Sequence, residues 1–155
     1  MTVRSVFSFG VGACIVLALL RPALADTVGD CKWASDDPRA VIDACTTLIS
    51  GGGAASWMYF NRGLAFKMRG QLTEAHSDYT KAIEDDPSFG AAYTNRGNVR
   101  ALSNDLAGAL ADFRKALKLD PKDHVALQNL KAIQAALRNV GADKSGKGVT
   151  TVPAR

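Results

Sequence analysis

The feature that most constrains this chain is an internal repeat. Residues 56–89 and 90–123 align at a period of 34 without a gap, and eleven of the 34 aligned positions are identical. Tyr59 meets Tyr93, Asn61-Arg62-Gly63 meets Asn95-Arg96-Gly97, Ala75 meets Ala109, Asp78 meets Asp112, Lys81-Ala82 meets Lys115-Ala116, and Asp86-Pro87 meets Asp120-Pro121. A period in this range marks a stacked array, in which one unit cannot bury its own apolar stripe and neighbours must cover it.

Each unit divides into two helical patterns. Tyr59, Gly63 and Phe66 recur at helical spacing until Arg69-Gly70. A second stripe of Ala75, Tyr79, Ala82 and Ile83 follows Leu72-Thr73 and stops at Asp85-Asp86-Pro87, because proline disfavours helix in the residue before it. The next unit repeats this through Gly97, Asn104-Asp105, Ala109, Phe113, Ala116, Leu117 and Pro121. Small residues allow close approach, so Gly63 is expected to face Ala75 and Gly97 to face Ala109. Ala82 and Ala116 are expected to admit the following helix, while Tyr79 and Phe113 fill the space between pairs.

This set resembles the tetratricopeptide repeat: aromatic, Gly, aromatic, then Ala, aromatic, Ala and Pro at family spacing over 56–121. It departs from the family at Arg62 and Arg96, where an apolar residue is usual, and at Arg100, where an aromatic is preferred. The resemblance implies an all-α fold of antiparallel helix pairs, stacked as a short right-handed solenoid. Together with the N-terminus described below, it looks like the small exported repeat proteins of Gram-negative bacteria.

The flanks extend the stack. His124 to Asn139 carries Leu127, Leu130, Ile133 and Leu137 as a buried stripe. It forms a C-terminal capping helix over 124–140, with Gly141 as its stop. Residues 141–155 are expected to be a disordered tail. Upstream, Asp36-Asp37-Pro38 starts a helix whose apolar face is Val41, Ala44, Cys45 and Leu48. Residues 26–55 are thus a degenerate leading helix pair joined to the repeats by Gly51-Gly52-Gly53.

Residues 1–25 have the pattern of a secretory signal. Arg4 precedes an apolar run from Val6 to Leu20, Arg21-Pro22 breaks it, and Ala23-Leu24-Ala25 offers a cleavage site before Asp26. An uncleaved anchor and a lipoprotein signal at Cys14 are the alternatives. The chain has 155 residues and a net charge of +4, and the signal region holds two Arg and no acid, so the remainder carries only +2. That near-neutral balance gives no argument for nucleic acid or an anionic membrane. An exported chain would be periplasmic or secreted. There Cys31 and Cys45 either form a bridge closing a loop of about 15 residues, worth roughly 3 kcal/mol, or remain buried thiols.

The first helix of each pair lines the concave surface in this family. Asn61, Asn95 and Asn129 occupy one helical position of three successive first helices, with Asn98 and Gln128 beside them. Such amides can bind the backbone of an extended peptide without reading its sequence. Trp57, Phe60 and Leu64 share the face of Asn61. Trp57 and Phe60 belong either to that groove or to a core against Val41, Ala44 and Leu48. The family's carboxylate clamp is not expected, because Phe60, Leu64, Val125 and Asn129 stand at four of its five positions and only Asn95 matches.

Nothing in the sequence supports catalysis, a cofactor or a metal. His76 and His124 lie 48 residues apart without acidic or sulfur partners at metal-ligand spacing. The sequence therefore points to a non-catalytic protein- or peptide-binding scaffold of the cell envelope. The alternative is a structural array that self-assembles without a peptide ligand.

Overall fold

A computed structural model describes residues 27–34 and 36–144. The expected signal at 1–25, and the part of the expected tail beyond residue 144, lie outside the described residues. Among those described, the chain is entirely helical. A π-helical turn, Asp30–Ala34, precedes α1 (Pro38–Ser50), α2 (Ser56–Met68), α3 (Leu72–Asp85), α4 (Gly90–Leu102), α5 (Leu106–Leu119) and α6 (His124–Lys144). Helices α2 and α3 pack as one pair, α4 and α5 as the next, with α1 against α2, α3 against α4 and α5 against α6.

The turns obey the 34-residue period in detail. The Asp86 carboxylate accepts from the Ser88 backbone N–H at 2.9 Å, and Asp120 accepts from Lys122 at the same distance. These Asx turns flank Pro87 and Pro121 and end the second helices. Within each pair, Gly70 (φ 73°) and Asn104 (φ 64°) supply the left-handed residue of the turn, which asparagine tolerates better than most residues. Asp37 caps α1 through the Arg39 N–H, with Pro38 at the first turn. Asp105 caps α5 through Gly108, and Asp123 bonds the Ala126 N–H at the start of α6. The leading helix is in register too, since Pro38, Leu72 and Leu106 are spaced by 34.

Packing across each pair differs from the sequence expectation. A Cβ placed on Gly63 would lie 2.9 Å from the Tyr79 ring, and one on Gly97 would lie 2.8 Å from Phe113. The glycines therefore receive the flat faces of the large aromatics instead of Ala75 and Ala109. Tyr79 and Phe113 also reach the next unit, as expected, Tyr79 packing with Val99 and Phe113 with Ile133, and Ala75, Ala82, Ala109 and Ala116 are fully buried around them. In the leading pair Cys45 stands where the aromatic does (45, 79, 113), and Gly29 has no atom within 4 Å of an added Cβ. The Cys31 and Cys45 sulfurs lie 2.14 Å apart, at disulfide distance. A close sulfur pair thus takes the place of a ring against glycine.

Arg62 and Arg96, the departures from the family pattern, are the most repeated polar feature of the core. Arg62 grips the Asp78 carboxylate with Nε at 2.7 Å and Nη2 at 2.9 Å, and its Nη1 donates to Thr46 at 3.0 Å. Arg96 does the same to Asp112 at 3.0 and 2.8 Å and to Thr80 at 3.2 Å. Both carboxylates are 4% exposed. Each arginine therefore joins three helices: its own, its partner in the pair and the second helix of the preceding unit. Tyr59 and Tyr93 complete the pattern, each lying between two cations, Arg62 and Lys81 or Arg96 and Lys115.

Helix α6 corrects two expectations. It runs through Gly141 to Lys144, because a helical glycine costs only about 1 kcal/mol relative to alanine and stops a helix only by adopting a left-handed turn. Ile133 is buried as expected, and Leu127 and Leu130 are half-buried, but Leu137 is 41% exposed. Leu137 falls at the level of Arg69 and Ser103, where α2 and α4 have already ended. Lys131 replaces the glycine of the earlier first helices and is exposed, so α6 offers no slot for another aromatic.

Candidate functional site on the inner helices

Helices α2, α4 and α6 carry the residues singled out for binding, and the structure divides them. Asn61 donates to the Cys31 carbonyl at 2.9 Å, so its amide holds the leading turn against α2. Asn95 accepts from Lys67 Nζ at 2.7 Å and donates to the Ala91 carbonyl at 3.0 Å. Asn129 donates to Asn98 Oδ1 at 2.6 Å, linking α6 to α4. Gln128 is exposed beside this pair. The amides therefore bond locally along the array, each to a neighbouring element or its own helix.

The apolar group divides as well. Trp57 packs with Val41, Ala44, Cys45 and Leu48, and Lys32 Nζ lies 5.4 Å from its ring centroid. Phe60 turns the other way, with ring centroids 4.7 Å from Phe89 and 5.8 Å from Tyr79. Its position toward α4 places it in the repeat core instead of against the leading helix. Leu64 packs with Ala75, Tyr79 and Val99 in the same region.

One open cleft of about 370 Å³ lies between α4 and α6, lined by Asn98, Ala101, Leu102, Phe113, Asn129, Ala132 and Ile133. Its apolar lining includes buried Phe113 and Ile133; the Asn98–Asn129 bond lies beside it, and Leu102 is 68% exposed. The period explains why it is open here. One unit earlier, Lys67 stands in place of Ala101 and Asn98 in place of Ala132. Two alanines therefore line the later junction where longer side chains occupy the earlier one. Sequence reasoning found Asn98 and Asn129 but missed Lys67, Ala101, Leu102 and Ala132. The breaks in the repeat at 67/101 and 98/132 were the available signal.

On the side of α4 that faces α3 and α5, Arg100 fills the place of the family aromatic. It donates to His76 Nε2 at 3.3 Å, to the Gly108 carbonyl at 3.3 Å and to Asp112 at 2.8 Å, so Asp112 receives two guanidinium groups. Burial, then the charges of Arg100 and Arg96, push His76 below its ordinary value. Among the described residues no group of His, Cys, Asp or Glu has the arrangement to hold a metal ion.

Residues 90–123 match the model of the tetratricopeptide repeat. Solved tetratricopeptide repeat domains share the fold. The first such domain of Spaghetti (RPAP3), solved bound to the HSP90 peptide SRMEEVD, is 25% identical, with a TM-score of 0.68 over 75% of this chain and 91% of that one. The Arabidopsis OM64 domain is 28% identical, with a TM-score of 0.67 over 74% and 94%. The second domain of human RPAP3, in complex with the HSP70 peptide SGPTIEEVD, is 27% identical, with a TM-score of 0.65 over 76% and 97%. No curated protein matches the chain in sequence. The chain has the fold of a tetratricopeptide repeat solenoid, and such domains are protein-interaction modules.

Proposed function

We propose that this protein is a non-catalytic scaffold of the cell envelope that holds an extended segment of a partner protein across its inner helices. The observation that carries the reading is the α4/α6 cleft, an apolar lining beside paired amides. Pockets for ligand side chains combine apolar walls with a few placed polar groups in this way. The related domains solved with HSP90 and HSP70 peptides support an extended peptide as the class of ligand. The chaperone clamp itself is not carried over, because Phe60 is packed on Phe89 and Leu64 on Tyr79, and neither Val125 nor Asn129 is cationic.

Export is supported by the pattern of residues 1–25 and by the Cys31–Cys45 pair at disulfide distance, which suits an oxidising compartment. No helix among the described residues is long and apolar enough to cross a membrane. Exposed Lys131 and Arg138 on α6 favour a solvated end over stacking of copies.

Ala132→Glu tests the reading. Ala132 is exposed on α6, so the change projects a charge at the cleft while leaving thermal stability within about 0.5 kcal/mol of wild type. Affinity capture from envelope extract should then lose the partners that wild type retains. A variant that folds and keeps every partner removes the cleft from the account.

A further inference from the structure

Lys67 is the cation of the inner helices nearest the α4/α6 cleft, and the side chains around it and the cleft, Asn95, Asn98, Ala101, Leu102 and Asn129, are uncharged. Lys67 is half-buried, and its ammonium is held at 2.7 Å by the neutral Asn95 carbonyl. The ion pairs made by Arg62, Arg96 and Arg100 do not include Lys67. Burial alone pushes its pKa down, with no carboxylate acting against it. A lysine normally keeps its charge in water; here it is partly withdrawn from water and given an amide instead of an acid.

Resting on the scaffold reading above, we propose that the inner surface selects a peptide bearing a carboxylate close to an apolar residue. The carboxylate pairs with Lys67 between α2 and α4, while the apolar side chain enters the α4/α6 cleft. Asn95 and Asn98 lie three residues apart on α4, hence on one face roughly 5–6 Å apart. They connect the two subsites. Adjacent helices pack about 8–10 Å apart, and an extended chain rises about 3.3 Å per residue. The two ligand groups therefore stand two or three residues apart. Lys67 is none of the positions used by the family's clamp, and the site takes a single carboxylate.

The test is an NMR amide-shift titration of the full chain with C-terminally amidated glycine-serine peptides. Each carries one leucine and, two or three residues away, one glutamate or one glutamine. A free-acid glutamine peptide distinguishes a terminal carboxylate from a side-chain one. The glutamate peptide should bind about five-fold tighter than its glutamine partner, as a charge-assisted bond allows, and added salt should shrink the difference. Lys67→Met should abolish the preference, and Lys67→Arg should keep most of it. Preference for the free-acid peptide over its amide would assign the same site to a chain terminus. Shifts around Asn98, Leu102 and Asn129 with equal affinities for glutamate and glutamine would overturn the inference and leave the scaffold reading standing. So would a glutamate preference that survives Lys67→Met. No shift on the inner helices with any peptide at millimolar concentration would remove both.

Discussion

Replacing Asp112 by alanine should cost more stability than any other single change of a charged residue in the array. The carboxylate is 4% exposed and accepts three short hydrogen bonds, two from Arg96 and one from Arg100. Removing it strands the Arg96 guanidinium and takes from Arg100 the nearer of its two carboxylates, leaving Asp105 at 3.6 Å. Breaking a buried pair by deleting one partner costs about 3–5 kcal/mol, mostly as the uncompensated charge left behind. Asp78→Ala strands only Arg62 and should fall at the low end of that range. The paired change Arg62→Leu with Asp78→Leu should recover most of the loss, since well-packed apolar residues often replace a buried ion pair at little cost. The chain already contains that solution: Val28 and Ala44 occupy these positions in the leading unit, and Leu130 occupies the arginine's place in α6. Urea unfolding followed by circular dichroism gives each value from the midpoint and slope. A loss below about 1 kcal/mol for Asp112→Ala, or a double variant no more stable than Asp78→Ala, would refute the reasoning.

Three further outcomes are expected. The Tyr79 hydroxyl is buried with no hydrogen-bond partner among the described residues, and burial pushes its pKa upward. Tyr79→Phe should therefore raise stability by about 1 kcal/mol in the same unfolding assay, and a loss of that size would mean the hydroxyl is paired. Gly97→Ala places a methyl 2.8 Å from the fully buried Phe113 ring. An overpacking cost of about 1–3 kcal/mol should exceed the helix-propensity gain of about 1 kcal/mol, so a rise in thermal midpoint contradicts the close contact. His76 is held below its ordinary 6.5 by burial and by Arg100 and Arg96, so the unfolded chain takes up the proton first. Its stability contribution is complete above pH 6.5 and is lost as pH falls below that value. His76→Gln should flatten this part of the stability–pH curve, and an unchanged curve would show that His76 does not produce it.

The helix pairs were legible because small, aromatic and turn residues recur at fixed offsets, and each acts through local geometry. Proline after aspartate stops a helix wherever it stands, and a glycine against a ring works the same way in each unit. The partner of each glycine was not legible, because Ala75 and Tyr79 lie one turn apart on the same stripe and only the helix crossing chooses between them. The roles of Arg62 and Arg96 could have been inferred from Asp78 and Asp112, since opposite charges 16 residues apart recur together in both units. The candidate site was less readable. Position along a helix placed Asn61, Asn95 and Asn129 in a series, but an amide bonds whatever comes near it, and for Asn61 that is a backbone carbonyl thirty residues upstream. The cleft arises where two side chains are shorter than their counterparts, and a search for chemical groups passes over alanines.

The three-way arginine contacts bear on how the molecule comes apart. Thr46 and Thr80 tie each unit to the one before it, so strain at one level is shared by two. At the boundary with α6 the corresponding residues are Arg114 and Leu130, and that wiring stops. The final helix is the loose slat of the blind. It should detach and reseat on its own while the earlier levels stay locked, and one wall of the α4/α6 cleft moves with it.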